Sequence, residues 1–243
     1  MMNREYHKWF SSSLQREMEL LIFGHAGRAV LFFPTRMARF FDYENWGIID
    51  ALKSRIDNGE LQLFCVDSID RESFYNEDVF PSVRINRHLQ YEQYLIEEVL
   101  PLIRKKNDGD FIETAGCSMG AYHAVNLALK YPLLFKKSVG ISGRYDLTDS
   151  QGDFKDLLNG FRDEQVYLNM PIQYIANLGE GTLLDAMRQM KIILAVGETD
   201  PFLSANQQLT GLMWEKGVTN EFHIWESNAH RPYFWKKMLP LYL

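Results

Sequence analysis

Short apolar runs alternate along the chain with longer segments whose apolar positions recur every three to four residues, the alternation expected of strands and helices in turn. YHKWFSSSLQREMELLIFGH predicts two antiparallel strands, and RAVLFFP after Gly27 predicts a short apolar strand ending at Pro34. WGIIDALKSRIDNG places Ile48, Ile49, Leu52 and Ile56 on one helical face and stops at Gly59. LQLFCVDS is again an apolar strand, ending in polar residues. RINRHLQYEQYLIEEVLPLIRKK predicts a long helix with Ile85, Leu89, Tyr91, Leu95, Ile96 and Val99 facing inward and a bend near Pro101.

The second half repeats the alternation. DFIETAGC is a strand, MGAYHAVNLALKYP a helix, FKKSVGIS and MKIILAVGE strands, SANQQLTGLMWEKG a helix, TNEFHIWE a strand and RPYFWKKMLPLYL a closing helix. Strands separated by helices of this length predict an α/β fold, a mostly parallel sheet covered on both faces. Residues 147–188, rich in Asp, Asn and Gly with short helical pieces, break the rhythm between two strands, where a cap or lid facing substrate commonly sits. No repeat, low-complexity tract or linker divides the chain, so residues 1–243 read as one domain carrying that insertion.

Composition narrows the class of partner. With 26 Lys and Arg against 32 Asp and Glu, a net charge of −6, there is no basic excess to draw nucleic acid or an anionic membrane, and a small molecule is the expected ligand. No apolar run approaches the roughly 18 residues of a membrane span. Arg4, Glu5 and Lys8 occupy the positions where a signal peptide needs its apolar centre. Cys65 and Cys117 each lie in an apolar strand as expected buried free thiols, without the spacing of a metal site, so a cytoplasmic location is expected and no metal or cofactor. The triple-acid run DLTDSQGD lacks the full spacing of a calcium loop and reads as a turn. Self-association is left open.

The chemistry centres on GCSMG, residues 116–120. Gly-x-Ser-x-Gly alone is weak, because a chain of this length matches it by chance about one time in twelve at average composition. Here it lies at a junction of strand and helix, the setting of a nucleophile elbow, which exposes Ser118 at the sheet's C-terminal edge and turns the Met119 N–H toward an oxygen bound beside it. A serine hydroxyl needs a base, and a base needs an orienting acid. Asp200 follows the strand MKIILAVGE, and His230 follows the strand TNEFHIWE, in the order acid then histidine. Glu198 and Asp146 are rival acids, Asp146 in SGRYDL after the preceding strand. His123 falls on the helix behind the serine, His88 on a helix rich in charge, and His7, His25 and His223 read as structural.

GCSMGAYHA, VGETDPF and NAHRPYFWKKMLPLYL, with the strand order over nearly the whole chain, resemble the α/β-hydrolase superfamily, and within it the esterase family that includes S-formylglutathione hydrolases, feruloyl esterases and mycolyltransferases. The resemblance implies a sheet of about eight strands, an acyl-serine intermediate, and Ser118, Asp200 and His230 as nucleophile, orienting acid and general base. Many relatives carry a His-Gly pair after the third strand, whose loop supplies the second oxyanion donor. This chain reads FFPTRMARFFDYENWG, which leaves Thr35 or Arg36 as that donor beside Met119.

The expected activity is hydrolysis of carboxylic esters or thioesters of small molecules. Candidate substrate contacts are Arg36, the aromatic loop of Phe40, Phe41, Tyr43 and Trp46, which reads equally well as core, and Ser68 or Asp70 after the fourth strand, where a solvated loop is the equal alternative. A catalytically silent scaffold and an acyltransferase sharing the same triad are the alternatives.

Overall fold

The apolar runs become β1 (Arg4–Ser11), β2 (Arg16–Phe23), β3 (Arg28–Phe33), β4 (Leu61–Val66), β5 (Ile112–Cys117), β6 (Phe135–Ile141), β7 (Lys191–Gly197) and β8 (Asn220–Trp225). The computed structural model describes residues 2–150 and 153–243, so the DLTDSQGD turn lies partly outside the described residues. The strands form one sheet in the order β1-β2-β4-β3-β5-β6-β7-β8. β2 runs antiparallel to both its neighbours, and every other pairing is parallel. Edge strand β1 alternates exposed with half-buried residues, whereas every residue of β4 and β5 is buried, as strands covered on both faces require.

The helices are α1 (Asp42–Asn45), α2 (Ile48–Asp57), α3 (Pro81–Tyr94), α4 (Leu100–Lys106), α5 (Met119–Lys130), α6 (Glu164–Tyr167), α7 (Pro171–Tyr174), α8 (Thr182–Arg188), α9 (Leu203–Glu215) and α10 (Pro232–Tyr242). On one face of the sheet α2 and α10 bury Ile48, Leu52, Ile56, Met238 and Leu239 against Phe32, Leu63 and Ile193. On the other, Tyr94, Val99, Val125, Leu129, Leu209 and Met213 pack against Leu31, Phe33 and Leu194. Phe32 and Phe33, adjacent in β3, thus serve opposite cores. This is the α/β-hydrolase fold that the resemblance implied.

The long helix departs from its expected form in two ways. Between α3 and α4 the chain widens into a π-helical turn at Leu95–Val99, just before Pro101. Pro101 has no N–H for the carbonyl one turn back, and its ring crowds that carbonyl, a strain that the wider turn just before it relieves. Leu89 and Ile96 are only half-buried, and the inward stripe takes Arg84, His88 and Glu92. Their partners lie far away in sequence: Arg84 Nη1 donates to the Leu157 carbonyl at 3.0 Å, His88 Nε2 lies 3.2 Å from Asn169 Oδ1, and Lys130 Nζ donates to Glu92 at 2.5 Å.

Within 147–188, Leu157, Leu158, Val166 and Met170 pack over Met119 and Tyr122 at the start of α5, in a third apolar cluster with Phe74 and Ile85. Leu184 and Met187 of α8 instead join the main core, so that end of the segment is a crossover helix lying on the sheet.

Candidate active site

Ser118 joins β5 to α5 with φ 56° and ψ −120°, a left-handed conformation that a residue with a side chain adopts only when its surroundings enforce it. Two glycines allow the turn. A Cβ at Gly116 would come within 2.3 Å of the Gly120 carbonyl group, and one at Gly120 within 2.4 Å of the Phe33 carbonyl oxygen. The Ser118 N–H donates to the Ile141 carbonyl at 2.8 Å, tying the turn to the end of β6.

Asp200 and His230 come from the loops after β7 and β8, which cross closely because a Cβ at Gly197 would strike the Asn228 carbonyl oxygen at 2.0 Å. Thr199 N–H donates to Ser227 O at 3.3 Å, and Ser227 N–H to Glu198 Oε1 at 2.9 Å. The crossing places His230 Nδ1 2.9 Å from Asp200 Oδ2 and His230 Nε2 3.0 Å from Ser118 Oγ. An ionised carboxylate only accepts, so the ring proton sits on Nδ1, and Nε2 offers its lone pair to the serine hydroxyl. Asp200 is fixed by a second bond, accepting from the Phe202 N–H at 2.9 Å, and its side chain is fully buried. Phe202, Trp235 and Phe154 surround the imidazole at centroid distances of 5.6, 5.7 and 6.2 Å, which keeps most water from it. The rival acids are engaged elsewhere: Glu198 at Ser227, and Asp146 accepting from the Thr148 N–H and hydroxyl at 2.8 and 2.6 Å.

Met119 opens α5, so its N–H has no helical carbonyl to reach and lies at the positive end of a 12-residue helix. The contact of Gly120 with Phe33 and Pro34 brings the start of the loop after β3 against it, with Thr35 next in the chain and buried. Tyr43 holds the two together, its hydroxyl donating to the Phe33 carbonyl at 2.8 Å and accepting from the Cys117 N–H at 3.1 Å. The pattern FFPTRMARFFDYENWG gave Tyr43 only as an aromatic, and its bridging hydroxyl follows from the packing of its ring on Phe32, at 4.1 Å.

The expected substrate contacts divide. Arg36 lies 5.9 Å from the Tyr75 ring and 5.5 Å from the ring of Phe154, the residue that borders His230. Trp46 packs edge-on to Tyr43 and lies 6.3 Å from Trp235, whose ring is in turn 5.7 Å from His230. Ser68 is turned aside, donating to the Ala38 carbonyl at 2.8 Å and lining a separate groove with Arg16, Arg39 and Glu72. The ion pair of Asp67 with Arg39, at 2.7 Å, pulls the loop after β4 toward that groove. Asp70 is buried, accepting from the Met37 N–H at 2.7 Å.

The sequence reading missed Tyr75, Arg144, Phe154 and Phe202. Tyr75 approaches Met119 Sδ at 3.9 Å, and burial pushes its phenol up to about 12. For Arg144 a signal existed in its place just after β6, beside the Asp146 that was weighed as an acid. Among the described residues no group of three His, Cys, Asp or Glu side chains gathers to hold a metal ion, and no helix is long and apolar enough to cross a membrane.

Known structures share this architecture. A ferulic acid esterase superposes with a TM-score of 0.79 at 17% identity, over 98% of this chain and 95% of its own. An S-formylglutathione hydrolase from Agrobacterium tumefaciens gives 0.71 at 15% identity over 100% and 97%. A fluorophosphonate-binding serine hydrolase of Staphylococcus aureus gives 0.67 at 15% identity over 98% and 95%. At such identities the likeness is one of fold. No curated protein sequence matches the chain. A family model described as Putative esterase matches residues 41–240. The chain therefore belongs to that esterase family, within the α/β-hydrolase fold, and its reaction is ester-bond hydrolysis by a serine hydrolase.

Proposed function

We propose that Ser118 is the nucleophile of this hydrolase, His230 its general base and Asp200 the acid that orients the base. The observation that carries the reading is the unbroken relay from Ser118 Oγ through both nitrogens of His230 to a fully buried Asp200, at 3.0 and 2.9 Å. His230 Nε2 takes the hydroxyl proton as Oγ attacks the carbonyl carbon, and the charge that grows on the carbonyl oxygen is met by the N–H groups of Met119 and Thr35. His230 then returns the proton to the leaving alcohol or thiol. Water, activated by the same imidazole, releases the acid from the acyl-serine. Within 147–188, the part whose Leu157, Leu158, Val166 and Met170 pack over Met119 acts as the cap of this single domain, and a small ester or thioester is its substrate. The two buried free thiols suit a reducing, cytoplasmic compartment.

Labelling by a fluorophosphonate, read by intact mass and by the modified peptide, tests the assignment. Stoichiometric modification at Ser118, lost in His230→Ala, is expected. A folded protein that takes no label, or labels elsewhere, would overturn it.

A further inference from the structure

Two arginines stand beside the relay without a part in it. Arg144, just past β6, is 2% exposed, and its guanidinium lies 5.8 Å from both the Phe154 and the Phe202 rings. Its Nη2 donates to the carbonyls of Asp149 at 2.8 Å, Leu147 at 3.5 Å, and Lys155. Its Nε is buried with no hydrogen-bond partner among the described residues. That is unlike Arg84, equally buried, whose Nε donates to the Val79 carbonyl at 3.2 Å. An unpaired N–H on a buried cation is costly unless something fills the position. Arg36 approaches from the other side, over Tyr75 and the same Phe154 ring. Arg28, Arg39 and Arg87 each pair with a carboxylate, while Arg36 and Arg144 meet none among the described residues.

The arginines converge on Tyr75. Both guanidiniums are near enough to pull its phenol down against burial, and Arg36 lies over its ring, while Asp70 sits behind it, already accepting from the Met37 N–H and 3.5 Å from His123 Nε2. A guanidinium stacked on an aromatic face keeps its in-plane N–H edge free for oxygen. The walls around that edge are Phe154, Phe202 and Met119, which also border Ser118 and His230, and an apolar wall strengthens any charge pair it shields.

We infer that the pocket selects esters bearing a second, anionic group, a carboxylate or phosphate received beside the Tyr75 hydroxyl by Arg36 and Arg144. This rests on Ser118 as the nucleophile, and it names the substrate class of that same site. Specificity follows from the cost of the alternative, because a neutral ester leaves the buried Arg144 Nε unmatched, while the exposed Arg36 adds attraction for an anion at the mouth of the site.

The test compares kcat/KM for matched pairs, each corrected for its uncatalysed hydrolysis. Mono-4-nitrophenyl glutarate against its methyl ester places the charge on the acyl side, and 4-acetoxybenzoate against its methyl ester places it on the alcohol side. The charged member of one pair should be preferred by about tenfold to a hundredfold, the range of a charge-assisted hydrogen bond. The preference should shrink with added salt and with inorganic phosphate as competitor. It should fall at least about tenfold in Arg36→Gln, an exposed position where folding is not at stake, and in Arg144→Gln where that variant folds. Wild-type protein that labels at Ser118 yet hydrolyses the neutral members as well or better would overturn the inference and leave the nucleophile standing, as would a preference undiminished in Arg36→Gln. No turnover together with no label would remove the nucleophile and the inference with it.

Discussion

His230 Nδ1 lies 2.9 Å from Oδ2 of Asp200, while Asp146, on the neighbouring loop, bonds Thr148 instead. Asp200→Asn would present an amide that can stabilise the wrong imidazole tautomer, so kcat is expected to fall by about a thousandfold to ten-thousandfold. Asp146→Asn should stay within a few-fold of wild type. Steady-state kinetics on one activated ester decides between them, and equal losses would remove Asp200 from its assigned place.

The parallel strands were legible because burial on both faces writes them as continuous apolar runs, and the meeting of Ser118, Asp200 and His230, the proposed triad, because each sits at a strand end in an order the elbow motif anticipates. Arg84, His88 and Glu92 were not legible. They sit on a helix whose charges look solvated, and what buries them is Leu157, Asn169 and Lys130, at separations that no local pattern reports. Arg144 and Tyr75 were missed for the same reason, since their meeting depends on where the loops after β4 and β6 fold back. For Trp46 the sequence leaves substrate contact and core packing equally open, because an aromatic suits both; the structure packs it on Tyr43 and near Trp235.

The elbow glycines are steric necessities. Gly116→Ala places a methyl 2.3 Å from the Gly120 carbonyl group, backbone against backbone with no side chain to move aside, and a loss above about 4 kcal/mol is expected. Gly211, inside α9, has open space around its Cβ position, and Gly211→Ala should raise stability by up to about 1 kcal/mol through helix propensity. Urea titration of both variants separates the two cases. A soluble Gly116→Ala with wild-type midpoint would refute the tight turn.

Tyr43 acts through the groups it holds. Tyr43→Phe keeps the ring on Phe32 but leaves the Phe33 carbonyl and the Cys117 N–H without their hydroxyl partner, at a cost of about 1–3 kcal/mol. Because those two groups set the spacing between the Thr35 loop and Ser118, kcat is expected to drop about tenfold with little change in KM, the mark of an interaction that matters in the transition state. A raised KM at unchanged kcat would instead make the hydroxyl a part of substrate binding.

Stability should decline on the acid side of neutrality because of the polar cluster behind α5. Burial lowers the pKa of His88 below its ordinary value, against the pull of Glu92 3.2 Å away, so the folded ring is neutral where an unfolded histidine begins to bind a proton, near pH 6.5. Burial works to raise Glu92, but His88 and Lys130 outweigh it and hold the carboxyl below its usual value. For both groups the unfolded chain binds more protons than the folded one as pH falls, so both slopes have the same sign. The histidine contribution is present above about pH 6.5 and fades below it. The carboxylate contribution is present above about pH 4.3 and is lost as pH drops through the lowered folded value. Urea midpoints should therefore fall below about pH 6.5 and fall again below about pH 4.3, and His88→Gln should remove the first of these two declines. Lys130→Met, which strips the buried carboxylate of its cation, should cost about 3–5 kcal/mol at pH 7. A wild-type midpoint that stays level between pH 7 and pH 5 would mean that folded His88 carries the proton, with Glu92 as its counterion.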